Sequence, residues 1–169
     1  MEDEHRIRRA TPADALAAAE VHCEAALVAY RDIFPPESPK PTPQTLLPGW
    51  HTLFSRPDTA ILVVDSPIEG VVAVARDDSV PSGWALSRLY VRPASWGGGL
   101  GAALHDAALD EARDLGTSEL NLWVLEANHR ARQMYERRGW TLVPDRTAPN
   151  DAPGVLDVLY RRDLRSARN

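Results

Sequence analysis

The sequence contains little cysteine and no long apolar segment. Cys23 is the only cysteine among the 169 residues, so the chain cannot form an internal disulfide. Because Cys23 falls within an apolar helical pattern, a buried and unreactive thiol is favoured over a reactive one. The longest apolar runs, such as residues 60–64, are too short to span a bilayer. The single cysteine excludes a disulfide framework, and the short apolar runs exclude a membrane-spanning apolar helix.

Basic charge and metal-binding patterns are scarce as well. Lysine and arginine number 19 against 24 acidic residues, and the resulting net charge of −5 argues against nucleic acid as a main partner. The five histidines show no zinc-like spacing with cysteines or carboxylates, so no metal is expected. The first six residues are charged and lack an apolar signal core, which favours a cytoplasmic protein. With 44% apolar residues, residues 1–169 are expected to form one globular domain.

Hydrophobic periodicity and capping signals predict the order of helices and strands. Thr11-Pro12 and Thr42-Pro43 each combine a capping threonine with a proline that suits the first helical position. Five prolines between residues 34 and 43 predict an irregular loop. The predicted strands are 5–10, 60–65, 70–76, 84–91, 119–125, 140–143 and 155–164, the predicted helices are 11–27, 43–54, 100–115 and 128–138, and a turn is predicted at 66–70. The order β-α-α-β-β-β-α-β-α-β-β predicts an α/β fold with a mixed sheet and helices on both faces.

A glycine cluster between a predicted strand and a predicted helix is the most informative segment. Glycines let a ligand approach the backbone, and a helix N-terminus favours a pyrophosphate. A nucleotide-binding P-loop is rejected, because Ala102-Ala103 stand where that motif needs lysine and a hydroxyl residue. A dinucleotide fingerprint is formally matched by Gly97-x-Gly99-x-x-Ala102, but residues 92–96 separate it from the strand and too few residues follow. An ordinary flexible loop is the remaining alternative.

The same segment, Trp96-Gly97-Gly98-Gly99-Leu100-Gly101, resembles the pyrophosphate loop of the GNAT acetyltransferase superfamily. That loop has the pattern Arg/Gln-x-x-Gly-x-Gly/Ala. Trp96 departs from the pattern and removes one polar or cationic contact, while the backbone contacts to phosphate are retained. The resemblance implies a GNAT fold, with a mixed and mostly antiparallel sheet.

A second block supports this resemblance. Residues 123–140 are similar to the family pattern Val-x-x-x-Asn-x-x-Ala-x-x-x-Tyr-x-x-x-Gly-Phe/Trp, at the expected distance after the glycines, and residues 21–35 resemble a large subgroup. Asn128 is expected to cap a helix, and Tyr135 lies two turns further along the same face. Each residue has a purely structural alternative, as a cap and as a core aromatic. The resemblance adds a contact of Asn128 with the cofactor.

The resemblance implies acetyl-CoA as cosubstrate and an amine as acceptor. A neutral tyrosine, with a pKa of about 10, can protonate a leaving thiolate of pKa about 8.5, so Tyr135 is the candidate acid. Backbone N–H groups of Leu89, Tyr90 and Val91 are the implied donors to the oxyanion. The implied cofactor-binding residues are Leu89, Tyr90, Val91, Trp96, Gly97, Gly98, Gly99, Leu100, Gly101, Ala102, Asn128 and Tyr135.

The base and the acceptor are less well defined by the sequence. Related sequences often carry a glutamate near the start of the strand before the glycines, but residues 83–88 contain no carboxylate. A water chain, an amine of low pKa, His22 or His51 are the alternatives. The missing carboxylate also leaves open a non-catalytic acyl-CoA-binding module. The sequence is also compatible with O-acetyl or longer-acyl transfer, and with a homodimer. The candidate acceptor-site residues are Tyr30, Phe34, Trp84 and Arg88, with Arg88 either meeting an acidic acceptor or lying solvated.

Overall fold

The structure is a computed structural model that describes residues 6–65 and 67–165. The eleven helices and strands follow the predicted order. The strands are β1 (Arg6–Arg9), β2 (Thr59–Asp65), β3 (Gly70–Arg76), β4 (Trp84–Val91), β5 (Glu119–Leu125), β6 (Thr141–Pro149) and β7 (Leu156–Asp163). The helices are α1 (Ala15–Ala29), α2 (Pro43–Phe54), α3 (Leu100–Asp114) and α4 (His129–Arg137). His5 of the predicted first strand and Ser66 of the predicted turn lie outside the described residues.

The strands form one sheet in the order β1-β2-β3-β4-β5-β7-β6. The β4–β5 pair is parallel, and every other pair is antiparallel. This arrangement confirms the prediction of a mixed and mostly antiparallel sheet. The one parallel contact lies at the centre, where α3 provides the crossover that two parallel neighbours need.

Helices cover both faces of the sheet, as predicted. On one face, Leu104 and Ala108 of α3 and Tyr135 of α4 pack with apolar residues of β2 to β5 and β7. On the other face, Ala19 of α1 and Trp50 of α2 pack on the strands β2 and β3. Among the described residues, no helix is long and apolar enough to cross a membrane.

Local sequence signals set the helix ends. The Thr45 N–H donates to Thr42 Oγ1 at 3.1 Å, which confirms the predicted cap of α2. At the other threonine–proline signal, the Thr11 N–H donates to the Asp14 carboxylate at 2.8 Å across a short 3₁₀ turn before α1. The capping prediction for Thr42 is therefore confirmed, whereas the Thr11 side chain makes no capping hydrogen bond and α1 begins only at Ala15.

The sixth strand is longer than predicted. The sequence indicates a strand over 140–143, whereas β6 continues to Pro149. The pairing with β7 is interrupted between Leu142 and Thr147, and Asp145 adopts a left-handed conformation with φ 57°. An interrupted, polar and largely exposed strand lacks the apolar alternation by which strands are recognised, so its second half could not be found from the pattern.

Candidate active site

A β-bulge in β4 sets the geometry of the site. Val71 pairs with Tyr90 and Ala73 pairs with Ser87, so β4 contains one residue more than β3 across this stretch. Arg88 lies in the bulge with a left-handed φ of 55°. An added residue moves every later side chain to the opposite face. As a result Leu86 packs in the core beside α3, whereas Tyr90 packs against the core beside α1 and α2.

Beyond the bulge, β4 and β5 separate. Their pairing is confined to Ala85 and Asn121. Asn121 is fully buried, and its side chain accepts from the Ser82 N–H at 2.9 Å and donates to the Tyr160 carbonyl at 3.2 Å. These bonds tie the closed end of the gap to β7. The edge of β4 from Leu86 to Val91 is consequently left without a strand partner on the β5 side in the described part of the chain, and two clefts occupy the opening.

The first cleft has a volume of about 290 Å³ and runs from the glycine turn to the end of α4. It brings together eleven of the twelve predicted cofactor-binding residues, and among them only the exposed Gly98 is not part of its wall. Its wall includes Tyr30, Leu89, Tyr90, Val91, Trp96, Gly97, Gly99, Asn128, Arg130 and Tyr135.

The second cleft, of about 300 Å³, lies on the β5 side of the gap. Its wall combines the end of α1, the bulge of β4, the open end of β5 and residues from both sides of the β6–β7 turn. It shares Tyr30, Tyr90, Asn128 and Tyr135 with the first cleft, so the two spaces meet at these residues. Three predicted acceptor-site residues, Tyr30, Phe34 and Arg88, line it.

The glycine turn opens the first cleft to a ligand. Gly97 and Gly99 both adopt φ 84°, a left-handed conformation that favours glycine. A Cβ added at either position would have no described atom within 4 Å, so free space lies over the backbone. The first intrahelical bond of α3 runs from the Ala103 N–H to the Gly99 carbonyl at 3.0 Å. The preceding N–H groups at this helix N-terminus are therefore suited to an anion.

Trp96 and Arg130 form a pair at the mouth of this cleft. The Trp96 Nε1–H donates to the Val91 carbonyl at 2.7 Å, which fixes the indole. The Arg130 guanidinium lies 4.6 Å from the centre of the indole ring, at cation–π distance. Arg130 has no ion-pair partner among the described residues. Arg130 of α4 thus places a cation beside Trp96, and sequence reasoning missed this contact because stacking across 34 residues has no local signal.

Asn128 and Tyr135 lie where the clefts join. Asn128 Oδ1 accepts from the Ala131 N–H at 3.3 Å, which confirms the predicted cap of α4, and the residue also lines both clefts. The Tyr135 ring packs edge-on to Trp140 at 5.9 Å. The Tyr135 hydroxyl has no hydrogen-bond partner within the described ranges. Burial, and secondly the nearby Tyr30, raise the pKa of Tyr135 above its usual value. The phenol is therefore neutral at physiological pH and free to donate.

Two histidines and one tryptophan named from the sequence are outside the clefts. His22 stacks on Tyr90 with ring centroids 4.1 Å apart, behind the cleft wall, and burial followed by the Arg88 charge lowers its pKa to about 4. His51 is exposed on α2. Trp84 lines neither cleft, because it lies at the start of β4 where the strands still pair, on the face toward α3 and beside the Arg76 guanidinium.

Two residues from the end of the chain, Asn150 and Asp157, line the second cleft and were missed. Asp157 begins the β7 pairing opposite Leu125, and its carboxylate accepts from Asn150 Nδ2 at 3.2 Å. Of the residues that the structure describes, Asp157 is the only acidic one in the wall of either cleft. In the sequence Asp157 is a carboxylate near the start of an apolar strand, and the return of β7 alongside β5 is what brings it to the site.

Comparisons with known proteins agree with this architecture. A profile of the Acetyltransferase (GNAT) family matches residues 24–140. A mycothiol acetyltransferase of Propionibacterium freudenreichii subsp. shermanii is 41% identical over 70 residues, which are 41% of this chain and 22% of that protein. An uncharacterized N-acetyltransferase of Lactobacillus delbrueckii subsp. lactis is 33% identical over 108 residues, 61% of this chain and 62% of that protein. The chain thus spans less than two thirds of these relatives.

Solved structures share the whole fold. The putative acetyltransferase yncA of Salmonella typhimurium, solved with acetyl-CoA, superposes with a TM-score of 0.72 at 19% identity, over 97% of this chain and 96% of that one. The PaiA N-acetyltransferase of Thermoplasma acidophilum, solved with coenzyme A, gives 0.73 at 17% identity, over 94% and 98%. At these identities the likeness concerns the fold. The profile match, which spans more than half of the chain, establishes that the chain belongs to the GNAT family of acetyltransferases.

Proposed function

We propose that this protein transfers the acetyl group of acetyl-CoA to an amine, by direct attack of the amine on the acetyl carbonyl. The observation that carries the proposal is the meeting of two clefts at the unpaired hydroxyl of Tyr135, which has no hydrogen-bond partner among the described residues. One cleft has an open glycine turn and the other has a polar wall. Family membership supports the acetyl donor. We further propose that residues 1–169 act as a single catalytic domain in the cytoplasm.

The first cleft fits the donor along its length. The open left-handed backbone at Gly97 and Gly99 and the start of α3 suit the pyrophosphate, which a Cβ and a negative charge would displace. The free edge of β4 from Leu89 to Val91 can pair with the amide groups of the pantetheine arm, as an added strand would. This chain's residues thereby hold the thioester beside the gap between β4 and β5.

The residues at the junction then supply the chemistry. The backbone N–H groups of β4 are positioned to donate to the carbonyl oxygen as it gains negative charge. The Tyr135 hydroxyl donates its proton to the departing sulfur and recovers one from the attacking nitrogen. Burial, and secondly Tyr30, raise the pKa of Tyr135, so the phenol is protonated across the neutral range and its proton is present when the sulfur departs. Asp157 supplies a carboxylate in the acceptor cleft, which favours turnover over a module that only binds acyl-CoA.

Calorimetric titration with acetyl-CoA tests the proposed function, with NAD as the control ligand. We expect micromolar acetyl-CoA binding and no heat with NAD, because the cleft offers a pyrophosphate site without a dinucleotide fold. A thiol-release assay over an amine panel should then show turnover. Absence of acetyl-CoA binding would contradict the proposal, and binding without release over the whole panel would favour the non-catalytic module.

Replacing the stacked arginine, Arg130→Gln, should weaken acetyl-CoA binding about five- to tenfold, because an exposed cation beside the phosphates is lost. The measurement is the calorimetric dissociation constant at low salt and at about 0.5 M salt, with the loss expected to shrink at high salt. Arg137→Gln, at the far end of α4, is the matched control and should bind as the unsubstituted protein does. Equal affinities for both variants would remove Arg130 from the donor site.

A further inference from the structure

The second cleft carries two charges of opposite sign. Arg88 and Asp157 are the only charged residues that line it in the described part of the chain, and they come from different strands. Neither has an oppositely charged partner among residues 6–65 and 67–165. Charged groups that line a protein cavity are ordinarily paired, because removing a lone charge from water costs free energy. Both side chains are half-buried in an open cleft, and a ligand that carries one charge of each sign would complement them.

Arg88 is held in place by the bulge and by α2. Its left-handed backbone places the guanidinium 4.8 Å from the centre of the Trp50 ring. A Cβ at Gly49 would lie 3.3 Å from Arg88 Nη2, so the side chain passes close to the backbone of α2. Burial lowers the pKa of Arg88 below its usual value, while the group remains a cation. The Arg88 guanidinium is thus fixed in position and partly desolvated. Within the described residues it has no hydrogen-bond acceptor.

Asp157 lies beside the tyrosines. Asp157 and Tyr30 line the same cleft. Burial, and to a smaller extent the Asp157 charge, raise the pKa of Tyr30. The Tyr30 hydroxyl is 3.3 Å from the Tyr90 hydroxyl, at the junction of the clefts. Among the described residues, the one hydrogen bond that Asp157 receives comes from the neutral amide of Asn150. Its remaining acceptor sites face a cleft that can hold an ammonium group.

We propose that the acceptor is an amino carboxylic acid, whose ammonium group is held by Asp157 and whose carboxylate is held by Arg88. This inference rests on the proposed acetyl transfer and names the substrate class of the same site. An arginine fork matches a carboxylate in a bidentate manner, and the stack on Trp50 keeps the fork from turning away. The bulge residue that opens the gap therefore also selects the substrate.

Protons and bonds balance in this arrangement. The ammonium group gives its first proton to the Asp157 carboxylate, which passes it to water. The neutral nitrogen forms a bond to the acetyl carbonyl carbon while that carbon's bond to sulfur breaks. The second nitrogen proton replaces the one that Tyr135 donates to the sulfur, so the products are an N-acetyl amino acid, the free thiol and one released proton.

The test compares matched acceptors after acetyl-CoA binding has been established. The twenty common amino acids are assayed by thiol release, and each acceptor found is compared with the amine that lacks its carboxylate. We expect kcat/KM to favour the amino acid by about tenfold or more. Tryptophan fluorescence, to which Trp50 beside Arg88 and Trp123 in the cleft contribute among five tryptophans, should show the same preference in binding without turnover.

Variants of Arg88 and Asp157 test the binding role proposed for each charge. Arg88→Gln should lower the ratio of kcat/KM for the amino acid to kcat/KM for the decarboxylated amine about tenfold, whereas Arg88→Lys should restore part of this ratio. Asp157→Asn should lower kcat/KM for both acceptors about tenfold, with the larger part in KM. Arg146→Gln and Asp151→Asn change exposed charges outside the cleft and serve as matched controls.

Three results would overturn the inference. The first is a wild-type preference for the decarboxylated amines, and the second is a protein that binds acetyl-CoA but acetylates none of the amino acids. The third is a preference that survives Arg88→Gln. The first and third results include measured turnover, so the proposed acetyl transfer stands in both, and after the second result it stands if another amine of the panel releases the thiol. Failure to bind acetyl-CoA is a different outcome, which would overturn the proposed function and this inference with it.

Discussion

Gly99→Asp is expected to weaken acetyl-CoA binding at least about 100-fold, which corresponds to about 2.7 kcal/mol. Gly99 caps α3 in a left-handed conformation with open space over its backbone. An aspartate there would fill the space in which the pyrophosphate is proposed to bind, and it would place a negative charge beside the negative phosphates. It would also cancel the favourable field of the helix N-terminus. The measurement is the calorimetric dissociation constant for acetyl-CoA.

The chain offers a matched control for backbone strain. Gly116, just after α3, has φ 88°, and a Cβ added there would also meet no described atom within 4 Å, but it lies at the opposite end of the helix. Gly116→Asp should therefore cost similar conformational energy and leave acetyl-CoA affinity unchanged. Gly99→Asn, which keeps the size and removes the charge, should fall between the two. Undiminished binding in Gly99→Asp would place the phosphates elsewhere.

Tyr135→Phe is expected to lower kcat about 100-fold while the acetyl-CoA dissociation constant changes by less than about twofold. The substitution keeps the ring against Trp140 and removes a hydroxyl that has no hydrogen-bond partner among residues 6–65 and 67–165. Little packing is lost, whereas the leaving sulfur departs without a proton. Stopped-flow thiol release measures the rate of the chemical step, and calorimetry measures donor binding.

Tyr160→Phe controls for the loss of a buried tyrosine hydroxyl. Tyr160 Oη accepts from Arg132 Nε at 3.0 Å and donates to Glu136 at 2.7 Å, and it lines neither cleft. We expect this variant to unfold at a lower denaturant concentration and to retain its turnover, because its hydroxyl has a structural role. If Tyr135→Phe turned over as fast as Tyr160→Phe, another group would have to be the acid.

Much of the fold follows from patterns that act over a few residues. Thr42, which is followed by a proline, and Asn128 each cap a helix. Each side chain accepts a hydrogen bond from the N–H group three residues further along the chain. The glycine turn could be found from its position between a predicted strand and a predicted helix, whereas Tyr135 is found through the resemblance of residues 123–140 to the family pattern. These signals yield the element order and most of the donor cleft.

The acceptor side depends on contacts between distant segments. The bulge at Arg88 requires the pairing of β4 with β3, and no local composition at that position indicates a left-handed residue. Arg130 reaches the glycine turn only by stacking on Trp96. Asp157 enters the cleft because β7 lies between β5 and β6. Each is a product of sheet register or tertiary packing, which periodicity cannot reveal.

The shared wall of the two clefts has a kinetic consequence. Because the spaces adjoin at Tyr30, Tyr90 and Tyr135 while the glycine turn belongs to the first cleft alone, both substrates can reside on the protein simultaneously. If acetyl-CoA stays bound while the acceptor binds, the acetyl group can pass directly from one to the other, and no acetylated protein intermediate is needed. Initial-rate plots at several fixed donor concentrations should accordingly intersect, as in a ternary-complex mechanism, and parallel lines typical of ping-pong exchange are not expected.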